Sequence, residues 1–313
     1  MSKAAIEIIY QDDDILVVNK PSGISVTKDR TGKAELKDIL LSPRLTSQPV
    51  TGGDQLRLVH RLDKDTSGVM LLAKNVQAQT KYSTYFEERQ VKKTYLAIVS
   101  GFVPDSQGTI DAPLTRDRKD ANLMCIAKKK GKESVTNWRL LADFGSTALL
   151  AVSPQTGRTH QIRVHLPSIG LPLAFDPLYG SSRPIFLSEF KSGYRLGRNQ
   201  TEKPLIERLT LHAYQLEFPN VAETQSVIPA APVPNQSDIP AEPIPNQLSF
   251  RAEPEAQSRN LINNSSSRPN CFIAKLDKKF AACIKMLTKY NPNGPRAFLN
   301  PNDLSKILNG DAL

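Results

Sequence analysis

Val59-His60-Arg61-Leu62-Asp63-Lys64-Asp65-Thr66-Ser67-Gly68 holds two carboxylates, two cations, a histidine, two hydroxyls and a glycine in ten residues. Mostly apolar runs bracket it, Leu56 to Val59 leading in and Val69-Met70-Leu71-Leu72-Ala73 leading out. A sheet core has no use for so many polar groups. The economical reading is a strand, a polar turn and a second strand, with the turn at a site. A charged surface hairpin fits the same spacing, and spacing alone does not choose between the two.

Working outward, the composition limits the partners. The chain has 313 residues with a net charge of +10, and residues 1–220 carry most of the excess, 31 basic against 23 acidic. A polyanion such as nucleic acid suits that balance. The three cysteines are scattered without a CxxC pair, which points to a reduced, cytoplasmic setting. Four histidines show no metal-ligand spacing, so no metal is expected. No apolar run approaches membrane-spanning length, and the N-terminus lacks the form of a secretory signal.

Strands are expected at Ile6 to Tyr10 and Ile15 to Asn19, around the acidic turn Asp12-Asp13-Asp14. Lys20-Pro21-Ser22-Gly23 then fixes a tight loop. A short helix fits Ala34 to Leu41, and a longer one fits Asn75 to Gln90. In the strand Val91 to Val99, Leu96 and Ile98 share one face while Tyr95, Ala97 and Val99 share the other. Seven cations lie between Arg116 and Lys132, which suits a solvated hairpin tip and makes a candidate RNA contact. Trp138 to Leu141 and Thr147 to Val152 read as a strand pair around Asp143-Phe144-Gly145.

After Pro219 the composition shifts. Residues 221–269 hold eight prolines, and Pro232-Val233-Pro234-Asn235-Gln236 recurs as Pro243-Ile244-Pro245-Asn246-Gln247. Such a stretch buries too little to offset its ordering entropy. The expected organisation is a catalytic domain over 1–220 and an insertion over 221–270. Residues 271–313 then bring a helix that completes the domain, followed by a loose tail. A return strand is expected at Leu248 to Ala252, and the helix at Lys275 to Leu287, where Phe280, Cys283, Ile284 and Leu287 share a face.

His60-Arg61-Leu62-Asp63 followed by Thr66-Ser67-Gly68 resembles the signature of the RluA-type RNA pseudouridine synthases. Four further segments resemble the same family: Val18 to Gly23, Thr156 to Leu166, Pro172 to Gly180 and Leu211 to Phe218. Phe175 departs from the small or polar residue usual before the aspartate of its segment. The resemblance implies an α+β fold, with a mixed, mostly antiparallel central sheet flanked by helices and loops around a central cleft. It implies conversion of a uridine in ribosomal or transfer RNA to pseudouridine, without cofactor or metal, by a monomer. The first motif begins by Val18, which matches the shorter branch lacking a small N-terminal RNA-binding domain.

On that resemblance Asp63 is the catalytic carboxylate, Arg163 the cation beside it and Tyr95 the tyrosine lying against the base. Desolvation alone would drive a buried carboxylate to take up a proton. A guanidinium prevents this, and its fork can grip both carboxylate oxygens. Arg61 is expected to fill the space left by an extruded base, which costs about a few kcal/mol to unstack. His60 takes a hydrogen-bonding role and joins Thr66 and Lys20 among the substrate-contacting residues. Two rivals stand beside this: a silent RNA-binding protein of the same fold, and a glycosidase using Asp63 and Asp65.

Overall fold

The computed structural model describes residues 5–27, 34–197, 200–219, 270–291, 297–300 and 302–313. The chain divides into two units, Met1–Phe218 with Cys271–Leu313 and Pro219–Asn270, and the fold and the site both lie in the first.

In the first unit, β1 (Glu7–Gln11) and β2 (Ile15–Lys20) form a hairpin. Asp12 closes its turn, its Oδ1 accepting the Asp14 and Ile15 N–H groups at 2.9 and 2.8 Å. Helix α1 (Leu36–Leu40) and the short β3 (Arg57–Leu58) precede β4 (Ser67–Ala73). Helix α2 (Val76–Glu87) begins where Asn75 accepts the Ala78 N–H at 2.7 Å, an N-cap that satisfies one orphan donor. Strand β5 (Lys92–Ser100), β6 (Gln107–Asp111) and a separate hairpin of β7 (Leu114–Arg116) and β8 (Met124–Ile126) follow. Next come β9 (Val135–Asp143), β10 (Thr147–Pro154), α3 (Gln161–Ser168) and β11 (Leu211–Glu217). The described chain ends with β12 (Cys271–Ile273), α4 (Lys278–Tyr290) and α5 (Asp303–Asn309).

Ten strands make one sheet in the order β1-β2-β4-β11-β5-β10-β9-β6, with β3 on β4 and β12 on β11. Every pairing in it is antiparallel except β4 with β11, where Ser67 and Gly68 face His212 and Ala213. This is the mixed, mostly antiparallel α+β architecture expected. The parallel contact is unusually close. Gly68 has φ +122°, and a Cβ there would lie 2.0 Å from the Ala213 carbonyl oxygen, so only glycine fits.

The two faces of β5 separate two cores. Leu96 and Ile98 meet Phe280, Cys283, Ile284 and Leu287 of α4. Ala97 and Val99 meet Ile162 and Leu166 of α3. Each large apolar side chain so buried contributes about 1.5–3 kcal/mol.

Two sequence expectations change here, and a third falls outside the described residues. The helix expected from Lys275 begins at Lys278, because Asp277 caps it by accepting the Lys279 and Phe280 N–H groups at 3.0 Å each. The tail expected to be loose contains α5, whose Ile307 is fully buried. The Tyr214 hydroxyl faces the Lys306 and Asp311 carbonyls at 3.1 and 2.6 Å, which ties that helix to β11. The return strand expected at 248–252 lies outside the described residues. Among those described, the strand returning beside β11 beyond residue 218 is β12.

Candidate active site

The polar stretch that decides the reading spans the turn from β3 to β4. The site is both a hairpin and a cleft wall: Arg57 and Leu58 pair with Ala73 and Leu72, and the chain then leaves the ladder. His60 takes over the next position, its Nε2 accepting the Leu71 N–H at 2.9 Å. Its ring stacks on Phe86 with centroids 4.4 Å apart. Burial pushes its imidazole down to about 3, with Lys93 acting in the same direction, so it is a neutral acceptor in the scaffold.

The Lys20-to-Gly23 loop clamps the turn from the other side. The Gly23 N–H donates to the Lys64 carbonyl at 2.9 Å, and Ser22 Oγ donates to the Asp65 carbonyl at 2.7 Å. Lys20 was expected to meet substrate, and its geometry says otherwise. The ammonium is fully buried and donates to the carbonyls of Pro21, Ile24 and Lys64 at 3.0, 3.0 and 2.9 Å. Three donors have three acceptors, so Lys20 positions the turn and does not line the cleft.

The cleft is a cavity of about 500 Å³, lined by Asp63, Arg61, Thr66, Tyr95, His160 and Arg163 among others. Arg89, Lys93 and Arg158 also line it, giving a strongly basic rim. Arg61 is exposed, and Thr66 is buried, with its N–H donating to the Asp63 carbonyl at 3.2 Å. Tyr95 comes from β5, and burial followed by the charge of Asp63 raises its hydroxyl well above the ordinary value. It therefore enters the cleft as a protonated donor.

Arg163, on α3, is 3% exposed and places Nη1 3.5 Å from Asp63 Oδ2. The expected two-pronged grip falls on a different carboxylate. Nε and Nη2 donate to Asp176 Oδ2 and Oδ1 at 2.8 Å each. The Leu178 N–H also donates to Asp176 Oδ1, at 2.9 Å. Burial works against the guanidinium, but the hydrogen bonds and charge of Asp176, then the charge of Asp63, hold it above its ordinary value. Arg163 is thus a fixed cation, neutralised on one side and reaching into the cleft with one N–H.

The chain as a whole is similar to known proteins. Residues 14–168 fit the family model described as RNA pseudouridylate synthase. An uncharacterised RNA pseudouridine synthase of Zymomonas mobilis is 34% identical over 229 residues, which is 72% of this chain and 93% of that protein. The chain belongs to the RNA pseudouridylate synthase family. The ribosomal large subunit pseudouridine synthase D of Neisseria meningitidis serogroup B is 37% identical over 234 residues, 74% of this chain and 59% of that protein. The chain therefore spans about three fifths of the length of the first curated relatives it matches. Among solved structures, the human RNA pseudouridylate synthase domain containing 1 is similar at a TM-score of 0.54 and 28% identity. That match covers 71% of this chain and 82% of the human one.

The residues that sequence reasoning missed in this pseudouridylate synthase fold surround Arg163. Asp176 and Tyr179 lie beyond the stretch matched by the family model. Their role shows only once the fold buries Arg163, whose guanidinium then needs more acceptors than one carboxylate offers. Phe175, the departure noted before Asp176, is buried and donates its N–H to Thr210 Oγ1 at 3.2 Å. Asp65 is exposed and does not line the cavity, which removes the Asp63–Asp65 pair that the glycosidase reading required. Among the described residues no three His, Cys, Asp or Glu side chains gather as a metal site, and no helix is long and apolar enough to cross a membrane.

Proposed function

We propose that this chain isomerises a uridine in structured RNA to pseudouridine, with the Asp63 carboxylate as the reacting group. The observation that carries the reading is the Asp63–Arg163 pair, 3.5 Å apart inside a cation-rimmed cavity. A carboxylate there serves as nucleophile or base toward the nucleoside. Tyr95 lies against the base, and Arg61 at the mouth fills the gap left in the stack. The reaction is an isomerisation without net redox change, so the protein groups suffice. Ribosomal RNA of the large subunit is the first substrate to test, because relatives bear that name; transfer RNA is the second. Arg89, Lys93 and Arg158 on the rim suit the RNA backbone.

The test uses total RNA labelled with 5-tritiated uridine, from a strain lacking this protein. The purified full chain should release tritium, because C5 loses its hydrogen, and Asp63→Asn should release none. Equal release from both would remove Asp63 from the chemistry. No release from either would leave an RNA-binding protein of this fold.

A further inference from the structure

We propose that His160 is a further catalytic group, donating its Nε2–H to a carbonyl oxygen of the uracil while that base is detached from the sugar. The inference rests on the isomerase reading of Asp63. Two non-glycine residues among those described have positive φ, Arg89 and His160, the latter at φ 54° as the cap of α3. A residue with a Cβ rarely holds that conformation, and where it does the surroundings over-determine it. Here the backbone cap delivers the imidazole to the cleft. Its Nε2 stands 3.9 Å from Asp63 Oδ2, beyond hydrogen-bond length. A group that close to the carboxylate facing C1′ also reaches the base bonded to C1′.

Which nitrogen carries the proton follows from three atoms. The Met124 backbone N–H donates to the Tyr179 hydroxyl oxygen at 2.8 Å. An amide nitrogen can only donate, so that oxygen is the acceptor. The oxygen has a second lone pair, but its own hydrogen needs an acceptor, and among the described contacts His160 Nδ1, 2.7 Å away, is the one that can take it. Nδ1 accepts, so in the neutral ring Nε2 bears the hydrogen and points to the cleft. Tyr179 is itself held, with the Arg163 guanidinium over its ring at 5.2 Å. Burial lowers the imidazole against the raising pull of Asp63, and Arg163 pushes it the same way as burial.

Breaking the C1′–N1 bond leaves the electron pair on the uracil ring, shared with O2 and O4. A fixed neutral N–H stabilises that charge and keeps its proton. C5 then bonds to C1′ and loses its proton while N1 gains one. The two cancel, and His160 ends as it began.

The experiment combines tritium release from the same RNA with ¹⁵N imidazole spectra of the full chain. His160→Leu should lower kcat about 100-fold with KM little changed, the cost of losing one such donor. His160→Gln, which restores an N–H donor, should recover most of that loss. The spectrum should show the proton on Nε2 in the wild type and a mixture of tautomers in Tyr179→Phe. Wild-type turnover in His160→Leu, a Gln variant no better than the Leu variant, or a proton resting on Nδ1 would overturn the proposal. If Asp63→Asn turns over normally, the isomerase reading fails. If Asp63→Asn is dead and His160→Leu is unimpaired, only the present inference fails.

Discussion

Two oxygens of Asp176 and one of Asp63 share the Arg163 guanidinium, and the two carboxylates take unequal shares. Asp176 holds the cation in place; Asp63 receives what is left of its field. Lysine at 163 keeps a charge beside Asp176 but cannot span both carboxylates, since its ammonium is a point donor. Arg163→Lys should therefore lower turnover about 100-fold while the unfolding midpoint shifts little, as tritium release and denaturant titration would show. Asp176→Asn should act on the fold first. It leaves a buried guanidinium without its partner, at a cost of about 3–5 kcal/mol in unfolding free energy. An Asp176→Asn protein as stable as the parent would show that the pair is not needed. Asp63 and Arg163 were named from the family resemblance of their two motifs, not from spacing, and the fold brings them within 3.5 Å. Asp176 was not, because its role is visible only once burial shows how many acceptors Arg163 requires. Lys20 misled in the opposite sense, since a cation in a tight loop reads as a ligand group until its three carbonyl acceptors are seen.

The pairing of β4 with β11 joins the polar Asp63 turn to the C-terminal half of the unit. Ser67 Oγ and His212 Nδ1 lie 2.8 Å apart, and His212 Nε2 faces the Ala274 carbonyl at 3.0 Å. A carbonyl can only accept, so Nε2 carries the hydrogen and Nδ1 accepts from Ser67. Burial pushes this imidazole down to about 4, although the Ala274 carbonyl pulls it upward. The unfolded chain takes up the proton near pH 6.5, and the folded chain refuses it until about 4. The contribution of His212 to stability is thus full above pH 6.5 and falls as the pH drops from there toward 4, by about 2 kcal/mol at pH 5, and the buried His60 acts in the same sense. Denaturant midpoints at pH 7.5 and 5.0 should differ accordingly, and His212→Gln should narrow the difference. An unchanged difference would place the acid sensitivity elsewhere. The strands themselves were readable from alternation, and the two faces of β5 sort as the sequence implied. The start of α4 was not readable, because the Asp277 cap outweighs the helical pattern upstream of it. Nor was the packing of α5, which depends on a hydroxyl from a strand far back in the chain.

At the scale of the molecule, charge distribution is the feature with a measurable consequence. The β7–β8 hairpin carries Arg116, Arg118 and Lys119, and the segment just after β8 carries Lys128, Lys129, Lys130 and Lys132, all exposed. If RNA lies across them, each phosphate neutralised releases counterions. Replacing Lys128, Lys129 and Lys130 with alanine should weaken RNA binding at low salt. It should also reduce the slope of log affinity against log salt by about 2, with turnover at saturating RNA unchanged. An unaltered slope would leave the segment as a solvated tip. The +10 charge was legible at once; its relation to a particular groove needed the fold. A different property follows from the place where β11 and β12 meet. Glu217 and Cys271 are direct cross-strand partners, so everything between them departs and comes back one strand spacing apart. To the sheet, those two ends are the mouth of a hairpin, and a tight Asn-Gly turn would bridge them as well as any longer segment. Evolution, or a protein engineer, can therefore splice material in or out at this junction while the strand pairs that flank the Asp63 turn stay as they are. A chain with 219–270 exchanged for Asn-Gly, which with Phe218 makes a three-residue connection, should keep its melting midpoint.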